Sequence, residues 1–547
     1  MNKPTIFTNR NELWQQLKQQ PGKHWDIIVV GGGIIGAGVL REATRRGLSA
    51  LLIEQKDFAW GTSSRSSKMV HGGLRYIAQG DIKLTRQSVL ERERLIAEAP
   101  GLIYRTKNYF LVKKWQFPGR FVMGLVLALY DKLAGHKDHR FVSASQVSKH
   151  FPGINKNQIK GACYYSDTAT DDARLVLRVL QEAIETGAQV LNYVRATKLI
   201  KTNDQVSGIE LKKVDDEQPG DKQTLSLNAS VVINATGAWA DDLRGQVVTE
   251  KCIRPLRGSH IIIARQRLPV NGILAVLHPE DKRPVFIFPW EGVTVVGTTD
   301  LDHAQDLNIE SSISPIEVDY LFEILSLHFP DKKISVKDVI SSYAGVRPVM
   351  SSDKNKSPSK ERRDHAVWAD RGMITVSGGK LTTFRLTALD ALKAAEPWLD
   401  KNHTAARTDT KTDERVFSSV DTRSLANFDC YDQDWIQRLI GRYGKNAGAL
   451  LSGASEQETE LISTTQFCLA ECRWAAKNES VIHLDDLLLR RTRLGILLKR
   501  GAEQLLPELE KICADELGWD KKKWQYEVSR YQNIWQSYYS LPTASAK

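Results

Sequence analysis

The 547-residue sequence predicts an α/β fold in three parts. These are a mainly parallel sheet wound with helices, an antiparallel sheet interleaved with it, and an all-helical C-terminal domain. Three observations predict this. A short apolar run, Asp26-Ile-Ile-Val-Val, leads into Gly31-Gly32-Gly33-Ile34-Ile35-Gly36, and a helical stretch and a second apolar strand follow. From Ile253 to Asp300 apolar runs alternate with turn residues, the texture of paired strands. Beyond about Glu414 glycines thin out and apolar residues recur at helical spacing.

Taken in order, Met1 to Trp25 is polar without a clear period and reads as an extension (1–25). Asp26 to Gly31 reads as a buried strand, Ile34 to about Arg46 as a helix closed by Gly47, and Ser49 to Glu54 as the next strand, the start of a βαβ unit. Gly61 to Lys68 is a serine-rich loop and Thr85 to Ala99 a charged helix. Asp172 to Thr186 reads as a helix, Val190 to Ile200 and Val206 to Lys212 as strands, and Ser230 to Ala235 as another buried strand. Val285 to Trp290 pairs with Val293 to Gly297 across Glu291-Gly292. Met373 to Ser377 is the last strand and Leu381 to Leu392 a helix. Residues 26–398 thus hold a nucleotide-binding domain and a substrate domain, the latter mainly about 100–160 and 245–345. A polar linker, 399–414, precedes a separate helical domain, 415–547.

Composition narrows the possibilities. With 41% apolar and 26% charged residues the chain is ordinary globular material, not wholesale disorder. Its net charge of +11 asks for an anionic partner. The longest uncharged apolar run, Phe121 to Tyr130, is about half of the roughly 20 residues a spanning helix needs. The N-terminus lacks the apolar region of a secretory signal. Six cysteines, mostly far apart, make no disulfide framework and point to a reducing cytoplasm. Cys468 and Cys472 lack the partners of a zinc site, so no metal is expected, and no pattern matches a nucleic-acid module.

The glycine motif carries the first chemistry. Gly31, Gly33 and Gly36 let backbone approach a pyrophosphate at a helix N-terminus, and Glu54, 18 residues past Gly36, would accept hydrogen bonds from a ribose diol. This is a Rossmann-like dinucleotide site. Two later strand ends favour FAD over an exchanging nicotinamide. Asn234-Ala235-Thr236-Gly237-Ala238-Trp239 brings a glycine to the dinucleotide, and Ser377-Gly378-Gly379-Lys380-Leu381-Thr382 puts amides and a cation beside a ring that becomes anionic on reduction.

Several stretches together resemble one family. They are Thr62 to Tyr76 (Thr-Ser-Ser-Arg-Ser-Ser-Lys-Met-Val-His-Gly-Gly-Leu-Arg-Tyr), Tyr165 to Val176, Gly258-Ser-His260, Val296 to Asp300, Ala344 to Pro348 and Gly378 to Arg385. In order, from about Asp26 to Leu392, they resemble FAD-dependent, quinone-linked (aerobic) glycerol-3-phosphate dehydrogenase. The helical tail, with Leu487 to Gly495, is similar in character to that family's C-terminal domain. The resemblance implies a Rossmann-like FAD-binding domain with an antiparallel-sheet substrate domain, of the D-amino-acid-oxidase-like superfamily.

It also implies oxidation of sn-glycerol 3-phosphate to dihydroxyacetone phosphate. Motif match then assigns FAD contacts to Thr62, Ser63, Ser64, Ser66, Ser67, Gly72, Gly73, Ala235, Gly237, Trp239, Gly379, Lys380, Leu381 and Thr382. Substrate contacts fall to Arg75, Tyr76, Arg347, Lys380 and an arginine of Arg362-Arg363, of which Arg363 is preferred. His71 is the first candidate base and His260 the second, beside Arg347 and Lys380.

Between Tyr104 and Tyr130 there are five basic residues (Arg105, Lys107, Lys113, Lys114, Arg120) and no acid, interleaved with aromatics. About 105–130 therefore reads as an interfacial segment on anionic lipid, which places the chain peripherally on the cytoplasmic face of a membrane. The expected acceptor is a membrane quinone, and family habit suggests a homodimer. Two alternatives stay open: a soluble glycerol-3-phosphate oxidase that makes peroxide from O2, and a flavin-binding interaction scaffold.

Overall fold

The computed structural model describes residues 7, 9–78, 80–114, 117, 119–135, 137–214, 224–350, 365–400, 414–421 and 430–542. Two sheets organise it. The first has a parallel heart, in the order Met373–Ser377, Thr224–Asn234, His24–Val30, Ala50–Ile53, Gln189–Leu191. Ala366–Asp370 adds an antiparallel edge. The hairpin Val194–Thr202/Gln205–Lys213 pairs with the first half of Thr224–Asn234.

The parallel strands are apolar on both faces, as a doubly covered sheet requires. Ile27 and Val29 pack under helices Ile34–Arg45 and Asp172–Glu185. Ile28 and Val30 face the other way. There the polar N-terminal stretch departs from its reading as an extension. Arg10–Gln19 is a helix, N-capped by Asn9, that buries Leu13, Trp14 and Leu17 against the sheet. Its three apolar residues are too few to register as a period, yet burying each leucine stabilises by roughly 1.5–3 kcal/mol. The single strand expected over Val190 to Ile200 is also broken. Tyr193 lies at φ 53°, in the left-handed region, and its hydroxyl donates to Asp486 at 2.6 Å.

Among the described residues the second sheet has nine strands. Ile253–Ala264 runs through it, flanked by Val339–Met350 on one side and by Val293–Gly297 and Leu301–Asp302 on the other. Pro284–Trp290, Ile273–Leu277, Ile103–Lys113, Ile159–Thr170 and Arg140–Ser143 continue it. The expected hairpin turns at Glu291 and Gly292, both at positive φ. One pair corrects the all-antiparallel expectation: Ile273–Leu277 runs parallel to Ile103–Lys113, because these distant strands are not joined by a hairpin.

That placement divides the interfacial segment between a strand, from which Arg105 and Lys107 still reach solvent, and a helix. Residues 103–113 are an interior strand of this sheet, Arg105 is ion-paired with Glu93, and Lys113 is half-buried. The exposed apolar surface begins later, at Phe117 and on helix Arg120–Ala134.

The C-terminal residues are helical, chiefly Gln433–Tyr443, Leu469–Asn478, Leu506–Leu517 and Lys521–Tyr538, with a π-helical turn at Asp486–Arg491. They are not detached. Leu484, Leu487 and Leu488 share one core with Ile262, Phe288, Trp290 and Tyr343 of the second sheet. Helical spacing shows that a face is apolar but not what it covers.

Candidate active site

The parallel strands deliver their C-terminal ends to one point, and the chemistry gathers there. A Cβ on Gly31 (φ 113°) would strike the Ala235 carbonyl, and one on Gly36 would collide with the Gly31 carbonyl. Only glycine allows the strand end and helix start to meet so closely. Helix Ile34–Arg45 opens at Gly33, which has no side chain to cap it, and has no acid in its first turn; Ser63 takes only the Ile34 amide, so the rest of the positive end is left for an anion. Glu54 Oε2 accepts from the Gly32 amide at 2.7 Å and Oε1 from the Lys56 amide at 2.8 Å. Burial nevertheless pushes the Glu54 carboxyl above its ordinary range.

The serine turn lies alongside. Ser63 Oγ accepts from the Ile34 amide at 3.0 Å, and Thr62 Oγ1 donates to the Val346 carbonyl. Ser67 Oγ is 3.0 Å from His260 Nε2. The His260 ring is buried, stacked on Tyr343 at 4.6 Å, and its Nδ1 has no hydrogen-bond partner. Burial, with Lys68 and Arg347 adding, holds it well below 6.5, so it is a neutral imidazole.

Opposite stands the second group. The His71 carbonyl accepts from Thr382 Oγ1 at 3.0 Å, and its ring lies 6.1 Å from that of Tyr76. Lys380 Nζ sits 4.2 Å above the Tyr76 ring. Arg347 Nη2 donates to Asp300 Oδ1 at 2.9 Å and to the Thr299 carbonyl at 3.1 Å. Arg283 reaches the other Asp300 oxygen at 3.2 Å.

Most of these line one cleft of about 1470 Å³ that runs from the glycine turn to the face of the second sheet. Among the expected residues it takes in Gly31, Gly33, Glu54, Thr62, Ser63, Ser66, Ser67, His71, Gly73 and Tyr76. It also takes in Ala235, Gly237, Trp239, His260, Arg347, Gly379, Lys380, Leu381 and Thr382. Gly36, Ser64 and Gly72 do not line it. Gly36 packs helix on strand, the Ser64 side chain is buried, and Gly72 is backed by Tyr130 and Arg92. Arg363 and the side chain of Arg75 lie outside the described residues.

Arg283 and Asp167 also line the cleft, and neither is among the residues expected there. Arg283 ends a charged turn, Pro279-Glu-Asp-Lys-Arg283, just before a strand, and that placement was its only signal. Asp167 accepts from the Gly72 amide at 3.1 Å beside His71. Burial, opposed by Arg92 and these hydrogen bonds, raises it to about 6.

Residues 26–385 match the family of FAD-dependent oxidoreductases, and 406–524 match the C-terminal domain of alpha-glycerophosphate oxidase. The aerobic glycerol-3-phosphate dehydrogenase of Staphylococcus haemolyticus is 32% identical over 504 residues, which cover 88% of this chain and 89% of that one. Its counterpart in Staphylococcus aureus (strain USA300) is 31% identical over 490 residues, covering 86% of each. The chain belongs to the FAD-dependent glycerol-3-phosphate dehydrogenases. The fold agrees. The FAD complex of Bacillus halodurans glycerol-3-phosphate dehydrogenase superposes with a TM-score of 0.71 at 24% identity, over 97% of each chain. Mycoplasma pneumoniae L-alpha-glycerophosphate oxidase with FAD bound gives 0.53 at 18%, over 73% of this chain and 99% of that one.

FAD is the cofactor of this dehydrogenase family, and the residues fit it. The glycine-opened helix start, acid-free in its first turn, suits a pyrophosphate and Glu54 a ribose. Trp239 Nε1 is buried at the cleft without a hydrogen-bond partner, which leaves a donor for a polar ligand edge.

Proposed function

We propose that the chain oxidises sn-glycerol 3-phosphate to dihydroxyacetone phosphate and passes the electrons to a quinone while lying on the cytoplasmic face of an anionic membrane. One observation carries the reaction: the glycine turn, His71, Tyr76, Arg347 and Lys380 border a single cleft. Bound FAD supplies the acceptor for the hydride that leaves C2 of the substrate.

The chain's own residues do the rest. Arg347 offers a planar fork to the phosphate dianion, with Arg75 and Arg363 the further arginines proposed for it. Asp300, itself paired with Arg283, holds the Arg347 guanidinium in place. Lys380 stabilises negative charge developing on the substrate oxygen and the cofactor edge. His71, half-buried at the cleft wall, takes the hydroxyl proton on its imidazole.

The acceptor reading is supported by the helix at the mouth of the cleft. Phe121 and Leu125 of Arg120–Ala134 are 88% and 76% exposed, and Phe117 is 79% exposed, while Val122 and Val126 line the cleft. An apolar face beside basic residues suits the lipid interface from which a quinone would arrive. No helix among the described residues is long and apolar enough to cross a membrane.

Anaerobic addition of glycerol 3-phosphate should bleach the flavin, and a quinone in anionic liposomes should restore its colour faster than air does. Stoichiometric peroxide, with O2 the faster acceptor, would replace the quinone by oxygen. A flavin that glycerol 3-phosphate fails to bleach would leave only a flavin-binding scaffold.

A further inference from the structure

The helical C-terminal segment lends no lining residue to the cleft among the described residues, yet it holds the back of the serine turn. Arg493 Nη2 donates to the Ser64 carbonyl at 2.6 Å, and Lys68 Nζ donates to the same oxygen at 2.6 Å. The two lone pairs of one carbonyl are therefore taken by two buried basic side chains. Asp172 binds both together. Its oxygens accept from Lys68 Nζ at 2.8 and 2.9 Å, and one lies 3.7 Å from Arg493 Nη2. The same carboxylate accepts from the Ser66 amide at 2.9 Å and from Ser66 Oγ at 2.7 Å. The turn is thus wrapped around a buried ionic cluster, with Ser63, Ser66 and Ser67 left facing the cleft.

The backbone of both residues is built for this reach. Arg493 and Lys68 lie at φ 62° and 58°, a region non-glycine residues occupy only when their surroundings impose it. Arg493 lies two residues past the π-helical turn Asp486–Arg491, a distortion frequent at functional sites. Its other nitrogen, Nη1, donates to the Leu489 carbonyl at 2.7 Å and anchors the guanidinium to the helical segment.

We propose that Arg493 is a positioning residue of the cofactor site: from the helical segment, with Lys68, it fixes the Ser64 carbonyl and so the serine turn against which FAD rests. The proposal rests on the assignment of this cleft to FAD. It gives the helical segment a part in cofactor binding that requires no contact with the cofactor.

The experiment is reconstitution of the apoprotein with FAD, read by quenching of flavin fluorescence and by the visible flavin spectrum. Arg493→Met should weaken FAD binding at least tenfold and shift the spectrum. Arg493→Gln, which keeps a neutral donor, should fall between it and the wild type. Arg473→Met is the control, because Arg473 pairs with Glu458, Asp515 and Glu516 within the same helical segment, away from the turn. It should bind FAD as the wild type does. FAD affinity within twofold of wild type and an unchanged spectrum in either Arg493 variant that folds would overturn the proposal. So would equal weakening by Arg473→Met, which would mean general loosening of the helices. A wild-type apoprotein that takes up no FAD would instead remove the cofactor assignment, and the proposal with it.

Discussion

Two histidines share the cleft, and their surroundings divide the work between them. His260 is buried, stacked on Tyr343 and kept neutral, so it can accept from Ser67 but does not gain a charge near pH 7. His71 stands half-buried beside Tyr76 and Lys380. We expect His71→Asn to lower kcat about 10²-fold at full FAD occupancy, the range of a general base. An unchanged kcat would take the role from it. Arg347 is expected to act on binding: Arg347→Ala should raise KM for glycerol 3-phosphate by roughly 10- to 100-fold, a charge-assisted hydrogen bond being worth about 1.5–3 kcal/mol. Steady-state kinetics with a dye acceptor separates the two effects. At this scale legibility followed covalent neighbourhood. Gly31 to Gly36 and Gly379 to Thr382 are contiguous motifs whose spacing carries meaning. Arg283 and Asp167 enter the site through strand register and a buried ion pair, and neither is written in local sequence.

Among the elements, helix Arg120–Ala134 has two separate faces. Met123, Leu127 and Tyr130 are buried, while Phe121, Leu125 and Leu129 face outward. The sequence showed the apolar run, but it also assigned the basic residues before it to the same surface. Arg105 to Lys113 lie on a strand paired on both sides, from which Arg105 and Lys107 still reach solvent, because alternation along a strand and approach to a helix look alike in a short basic stretch. The test therefore belongs on the helix. Phe121→Asp with Leu125→Asp should abolish partition onto anionic liposomes and leave dye reduction within about twofold. Undiminished partition would reject this face as the lipid contact. The inner face has its own constraint. A Cβ on Gly72 would run into the Tyr130 hydroxyl and Arg92, which donates to that hydroxyl at 2.5 Å. Gly72→Ala should displace the His71 turn and lower kcat without changing liposome binding.

For the molecule as a whole, the helical tail and the sheets form one body of packing. A chain ended at residue 420 would expose Phe288, Trp290 and Val293, and would leave Asp57 buried without Arg490 and Arg491. It should be insoluble or lack FAD, whereas a detachable domain would leave a yellow, soluble core. Unpaired buried charge alone costs about 3–5 kcal/mol. Inside the tail, burial lowers the affinity of His483 for a proton, but its hydrogen bond to Glu527 at 2.8 Å overrides this and raises its pKa above 6.5. A raised folded-state pKa means stability fully present below pH 6.5 and lost as pH rises through the higher value. The thermal midpoint should decline across that interval, and His483→Gln should remove that part of the slope. The parallel sheet has a consequence for synthesis. Its first strand, His24–Val30, is completed only through Thr224–Asn234 and then Met373–Ser377, so about 350 residues must follow before the sheet can close. At ~5–20 residues per second the nascent chain carries an open, apolar strand edge on the ribosome for roughly 17–70 s. Protection of that edge by a chaperone, rather than final stability, should therefore limit the yield of active protein.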